Sequence, residues 1–301
     1  MRERILLLIA AFVWGCAFVA QRVSTDIIGP FAFNGLRFWL GALSILPAAY
    51  FLSRKTKSLP KRSAAPVSLF TATCILGFLL FTGAALQQIG LIYTTAGKSG
   101  FITALYIVLV PIISLIFGNA LRLSHIIGCI TAVTGVYFLS FTGSYDAVNA
   151  GDVLTLAGAL FWTLHIVTVS RFVRYHDGLK LSIGQFFICG FLNFAAMILV
   201  GEPLTPAIIT AAAWPIIYCA VFSTGIGFTF QILGQKGVPP TEASLICSLE
   251  MVFSLLSGYI ILNERLTLWE IAGVILMSIG IVAAQLPSRT VYGRREIPEK
   301  S

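Results

Sequence analysis

Ten predominantly apolar stretches follow one another along the chain, over residues 4–23, 31–52, 67–89, 95–117, 123–142, 152–171, 181–200, 211–234, 240–262 and 267–286, joined by short polar connections. About twenty apolar residues in a helix cross the ~30 Å hydrocarbon layer of a bilayer, so the pattern predicts ten transmembrane helices. The polar residues within the stretches are patterned too. In 240–262, Ala243, Cys247, Glu250, Ser254 and Ser257 recur every third or fourth position, while Leu245, Leu249, Val252, Leu255, Leu256, Tyr259 and Ile260 fill the other faces. That is one small and polar face of a helix. Ser99, Thr103 and Tyr106 make a second such face, and Gln87, Gln88, Thr224 and Gln231 add further polar positions. The fifth and tenth stretches are nearly free of them. A central aqueous cavity, walled by some helices and scaffolded by others, gives this distribution.

Composition makes the membrane assignment firm. Of 301 residues, 57% are hydrophobic and 11% charged, against roughly 25% charged in an ordinary soluble domain. The net charge of +8 does not indicate nucleic acid, because the basic residues sit in short connections, where they set orientation. With the N-terminus placed inside, sixteen Lys and Arg fall on the cytoplasmic side and three (Arg22, Lys98, Arg265) outside, leaving Arg37 within a helix. Both termini are therefore expected in the cytoplasm, with the first apolar stretch retained as a helix rather than cleaved as a signal peptide. The six cysteines all lie inside apolar stretches without a CxxC pair and read as small buried fillers.

The chain also repeats. At an offset of 148, Ala11, Trp14 and Phe38 match Ala159, Trp162 and Phe186; at 145, Leu121, Leu123, Ile126, Gly128 and Gly135 match Leu266, Leu268, Ile271, Gly273 and Gly280. Two units of five helices follow, 1–145 and 146–287, with 288–301 as a polar cytoplasmic tail. Five being odd, the units face opposite ways across the membrane, an arrangement that places a transport site near the midplane. The paired glycines read as close helix contacts.

Candidate site residues come from polar groups in the spans. Glu250 is a carboxylate halfway across, a costly position that marks a functional-site hypothesis. It either lines the cavity, meeting a solute amine or a proton, or pairs permanently with Arg37 or with backbone groups and stabilises the contact between the two halves. Arg37 itself reads as an anchor snorkelling to the outer end of its helix. Trp14, in a stripe with Phe18 and Gln21, and Trp162, one turn from His165, suit a mostly apolar cavity with a few polar contacts; equally, they suit plain packing. Tyr106, Gln231, Gln87 and Ser254 complete the set. Pro111 predicts a kink in the fourth helix, and Gly225 and Gly227 a loosened eighth.

These pieces resemble the drug/metabolite transporter superfamily, and within it the EamA-type transporters. The resemblance runs from about residue 6 to 285 and is carried by VWGCAFVAQR (13–22), LRFWLGA (36–42), TTAGKSGFITALYIVLVP (94–111) and PTEASLICSLEMVFSLLSGYIILNERLTLWEIAGVILMSIGI (240–281). It implies an all-α membrane protein of ten helices in two inverted five-helix repeats around a central cavity, exporting small organic solutes such as amino acids or related metabolites. The chain departs from the family at Met251, where proline is usual, which predicts a straighter ninth helix.

Other classes lose support. HExxH, GxxxxGK[ST] and GxGxxG are absent, which removes the usual signals of a metalloprotease, an ATP-driven pump and a dinucleotide enzyme. Gly97, Ser99 and Gly100 match the GxSG of intramembrane proteases, with His165 in a later helix, but the ten-helix repeat has no counterpart there. Nucleotide sugars and phosphorylated metabolites need several fixed cations, and only Arg37 and Lys98 qualify. A non-transporting scaffold remains the third alternative. The expected partners are a small solute, membrane lipids and, as a candidate coupling ion, the proton. No cofactor, metal or enzymatic activity is expected.

Overall fold

The computed structural model describes residues 1–55, 65–94, 96–118, 120–140, 149–262 and 268–292. The 145/146 unit boundary, the loop cations Lys57, Lys61 and Arg62, the Glu264–Arg265 hairpin, the end of the tail from 293 onward and the Lys98 side chain lie outside what is described.

Within these bounds the chain is almost wholly helical. The helices are α1 (Arg2–Ser24), α2 (Pro30–Lys55), α3 (Leu69–Tyr93), α4 (Ala96–Ala104), α5 (Tyr106–Ile116), α6 (Leu123–Ser140), α7 (Ala150–Phe172), α8 (Gly178–Val200), α9 (Pro206–Ala211) and α10 (Ala213–Tyr218). A π-helical segment, Cys219–Phe228, joins α10 to α11 (Thr229–Gly234), followed by α12 (Pro240–Cys247), α13 (Glu250–Leu262) and α14 (Leu268–Gln285). Five helical stretches are long and apolar enough to cross a membrane: Arg2–Ser24, Leu69–Tyr93, Ala150–Phe172, Gly178–Val200 and Ala213–Gly234. Ile102–Ile116, Leu123–Gly135 and Ile271–Ala284 are shorter apolar helices.

Three of the apolar stretches are not single α-helices. The stretch 95–117 breaks at Leu105, where Leu105 N–H bonds Ile102 O and Val108 N–H bonds Leu105 O, each closing a tighter turn than the α ladder. The break therefore precedes Pro111 by six residues. The carbonyl that Pro111 leaves without its N–H, Ile107 O, accepts from the Cys129 thiol at 3.5 Å, so the proline is accommodated without ending α5. The stretch 240–262 was expected to run straighter in the absence of a proline at 251. Instead it breaks at Ser248–Leu249, between α12 and α13. Ser244 and Ser248 hydroxyls donate to the carbonyls of Thr241 and Leu245, and such local bonds compete with the helical ladder. The third stretch widens into the π segment around Gly225 and Gly227.

Close contacts hold the scaffold. α6 and α14 cross antiparallel through the matched glycines: a Cβ on Gly128 would lie 2.7 Å from Gly280 O, one on Gly280 2.7 Å from Gly128 O, and one on Gly135 2.7 Å from Gly273 O. Backbones at this separation exclude any side chain, which is how helices adhere without a hydrophobic drive. Past α14, Thr290–Tyr292 pairs antiparallel with Leu121–Arg122, so the segment read as free tail begins as a strand at the Met1 end of the bundle.

Gly280→Ala is expected to destabilise the protein by roughly 1–3 kcal/mol through overpacking, seen as a lower unfolding midpoint in detergent. Gly100→Ala, whose new methyl would meet nothing closer than 3.9 Å, should leave the midpoint unchanged.

Candidate functional site

The two helix breaks meet at one place. Leu105 ends just before Tyr106, and Ser248–Leu249 just before Glu250; the Tyr106 hydroxyl donates to Glu250 Oε1 at 3.1 Å. Both side chains are buried, Tyr106 at 4% and Glu250 at 6% exposure. They form one wall of a cavity of about 50 Å³, room for a small cluster of waters and well below the ~300–1,000 Å³ of drug-sized sites.

The same lining carries a cation. Arg37, 2% exposed, donates from Nη1 to Gln21 Oε1 at 2.8 Å, and its guanidinium carbon stands 4.7 Å from the Phe38 ring centroid and 5.6 Å from that of Phe33. The snorkelling anchor is thus corrected: Arg37 turns inward, because Gln21 and two aromatic faces hold it there. The permanent Arg37–Glu250 pair is corrected as well. Arg37 and Glu250 line one cavity, each held by a neutral partner, Gln21 for one and Tyr106 for the other.

An aromatic group completes the lining. Trp14 donates its indole N–H to Ser223 O at 3.0 Å and lies 4.8 Å from the Phe228 ring. Trp162 stacks on Phe228 at 5.7 Å and 18°, leaving its own indole N–H without a partner inside the protein. Glycines make room for both: a Cβ on Gly227 would reach Trp14 at 2.5 Å, and one on Gly83 Trp162 at 3.3 Å. Phe228 was not singled out from the sequence, although it stands four residues after Thr224 and three before Gln231, on the helical face that those two polar positions define. π geometry inside a helix is frequent at functional sites, and Gly225 and Gly227 were the available signal.

Of the other candidates, Gln231 and Gln87 line the cavity. Gln87 donates to the Thr103 hydroxyl at 3.1 Å, while Gln231 Oε1 has no partner. His165 lies behind Trp162, its Nε2 2.9 Å from Gln185 Oε1, a helix–helix bond rather than a lining group. Ser254 is not part of the lining; its backbone N faces Gly15 of α1, where an added Cβ would stand 2.8 Å away. The GxSG serine and His165 are not paired: Ser99 faces Thr155 at 3.5 Å. No group of three or more potential metal ligands occurs among the described residues.

Comparison with known proteins gives the context. The model of the EamA-like transporter family matches residues 1–141 and 149–284. A transporter of Archaeoglobus fulgidus is 31% identical over 93% of this chain and 84% of its own. A Salmonella typhimurium protein named a probable amino-acid metabolite efflux pump is 24% identical over 93% of both chains. A solved crystal structure superposes with a TM-score of 0.77 over 95% of this chain and 97% of its own at 19% identity, a likeness of fold alone. With the family model covering both portions of the sequence, the chain belongs to the EamA-like transporter family and is a membrane transporter.

Proposed function

We propose that the protein is a secondary exporter of small zwitterionic solutes, amino acids or related metabolites, working by alternating access without ATP. One observation carries this reading: Arg37 and Glu250, opposite in sign and both buried, line the same cavity without pairing. A solute with one carboxylate and one ammonium group offers each its missing counter-charge, and the Trp14–Phe228–Trp162 rings offer apolar and cation–π contact. The printed name of the Salmonella relative supports amino-acid-type cargo and the outward direction. Multiply charged anions fit poorly, since Arg37 is the one cation among the lining residues and Glu250 opposes it.

The architecture we infer is ten spans in two inverted five-helix units, residues 1–145 and 146–287. Two separate family matches support it, as do the reciprocal glycine contacts. Gly128 corresponds to Gly273 and Gly135 to Gly280 in the repeat, and the contacts 128–280 and 135–273 exchange under that correspondence, as a two-fold axis in the membrane plane requires. The sixteen-to-three distribution of Lys and Arg supports a cytoplasmic position for both termini.

In proteoliposomes loaded with mixed labelled amino acids, Glu250→Gln and Arg37→Gln should each lose about 2–5 kcal/mol of solute binding, as truncation of one buried charge partner does, and so slow exchange by about thirtyfold or more with the melting point preserved. Exchange at the parent rate in both would remove the zwitterion reading. An imposed proton gradient should drive accumulation by the parent protein and fail to drive it in Glu250→Gln; a parent protein indifferent to the gradient would exclude the proton as coupling ion.

A further inference from the structure

The Met1 end of the cavity is closed by α12. All eight residues of this helix, Pro240 to Cys247, are buried, packed among α1, α5, α6, α7 and α14. Cys247 lines the cavity, and five residues nearer the Met1 end stands Glu242, whose side chain is 7% exposed. Its carboxylate pairs with the Arg4 guanidinium from the first turn of α1, itself 46% exposed. The same turn of α1 sits against the link between α11 and α12: a Cβ on Gly234 would lie 2.8 Å from Glu3 O and 2.7 Å from Leu7, and one on Gly237 3.0 Å from Glu3 Cγ. The serine-assisted break at Ser248–Leu249 separates α12 from the rest of its stretch.

We propose that Arg4 and Glu242 form a latch that holds α12 in place and keeps the Met1 end of the cavity shut, a role that rests on the transport reading above. Glu242 is buried only while α12 is seated. There Arg4, half-exposed itself, is the cation within pairing distance among the described residues, and a buried carboxylate left without its partner is disfavoured. Once α12 withdraws, water solvates both groups and the pair has nothing left to contribute. An interaction made in one of two states shifts the equilibrium toward that state. Arg4 and Glu242 are positioning residues: neither touches the solute cavity, and both set which end of it opens.

Cys247 is a native reporter. With Cys16, Cys74, Cys129, Cys189 and Cys219 changed to serine in the full-length chain, a charged, membrane-impermeant thiosulfonate is applied from the Met1 face and, in vesicles of opposite orientation, from the other face. The parent should label slowly from the Met1 face and faster from the other, at a solute-dependent rate. Glu242→Gln, isosteric and neutral, and Arg4→Gln should each raise Met1-face labelling about tenfold by shifting the population toward the open state. The charge exchange Arg4→Glu with Glu242→Arg should restore slow labelling, which loosened packing alone would not do. Parent-like Met1-face rates in both single variants, with solute-dependent labelling from the other face intact, would overturn the latch and leave transport standing. A charge exchange that labels as fast as the single variants would likewise overturn it. Cys247 unreactive from both faces in every variant would overturn the latch and the transport reading together.

Discussion

The hydrogen bond from Tyr106 to Glu250 is the constraint around which the site is built. A carboxylate at mid-depth in a bilayer is unfavourable unless something receives its charge. Here the receiver is a hydroxyl on the first residue after a break in another helix, and the carboxylate is itself the first residue after a break. A helix that restarts exposes N–H groups that its own ladder leaves free, and its N-terminus carries partial positive charge. Glu250 opens α13, so the interruption at Ser248–Leu249 softens the cost of the charge that follows it.

The remaining architecture keeps that crossing in register. The glycine contacts between α6 and α14 are too close to slide, because moving either helix drives backbone into backbone. Some helices around the cavity are less regular: α4–α5 and α12–α13 are interrupted, and the stretch after α10 is wound as a π helix. The cavity draws on both kinds: the continuous α1, α2, α3 and α7 supply Trp14, Gln21, Arg37, Gln87 and Trp162, and the interrupted stretches supply Thr103, Tyr106, Phe228, Gln231 and Glu250, irregular backbone being tolerated where it borders a cavity.

Much of this was legible from residue order. The polar face Ala243–Cys247–Glu250 and the face Ser99–Thr103–Tyr106 were readable as periodicity, and the structure brings Cys247, Glu250, Thr103 and Tyr106 to one cavity. Trp14 and Trp162, matched by the repeat, face the same ring. What was not legible lacked a chemical signal of its own, or depended on departures from α geometry or on distant partners. Phe228 lies at the end of a ten-residue π-wound segment; as an apolar residue on the face of Thr224 and Gln231 it carried no chemical signal of its own and was passed over. Arg37 seemed close enough to the membrane surface to reach it; Gln21, sixteen residues away on α1, decides otherwise. The missing proline at 251 was read as a straighter helix, whereas the stretch breaks before Glu250, accompanied by serine hydroxyls bonding back to carbonyls.

If the cargo is the zwitterion proposed above, the tethering of Arg37 and Glu250 to neutral partners bears on selectivity. Two opposite charges in a low-dielectric cavity attract strongly, and left free they would collapse together and close it. Each is tethered by a neutral group instead, the Gln21 amide oxygen for one and the Tyr106 hydroxyl for the other. Neutral partners hold a charge more weakly than ionic ones, so both groups remain ready to exchange a weak partner for a strong one. A solute bearing both charges makes that exchange at both groups at once. A solute bearing one charge makes it at one group and adds desolvation at the other, where its bulk displaces water from a group it cannot pair. On the proposed reading, selection for zwitterions would then follow from two opposite charges that line one cavity and are each tethered to a neutral partner.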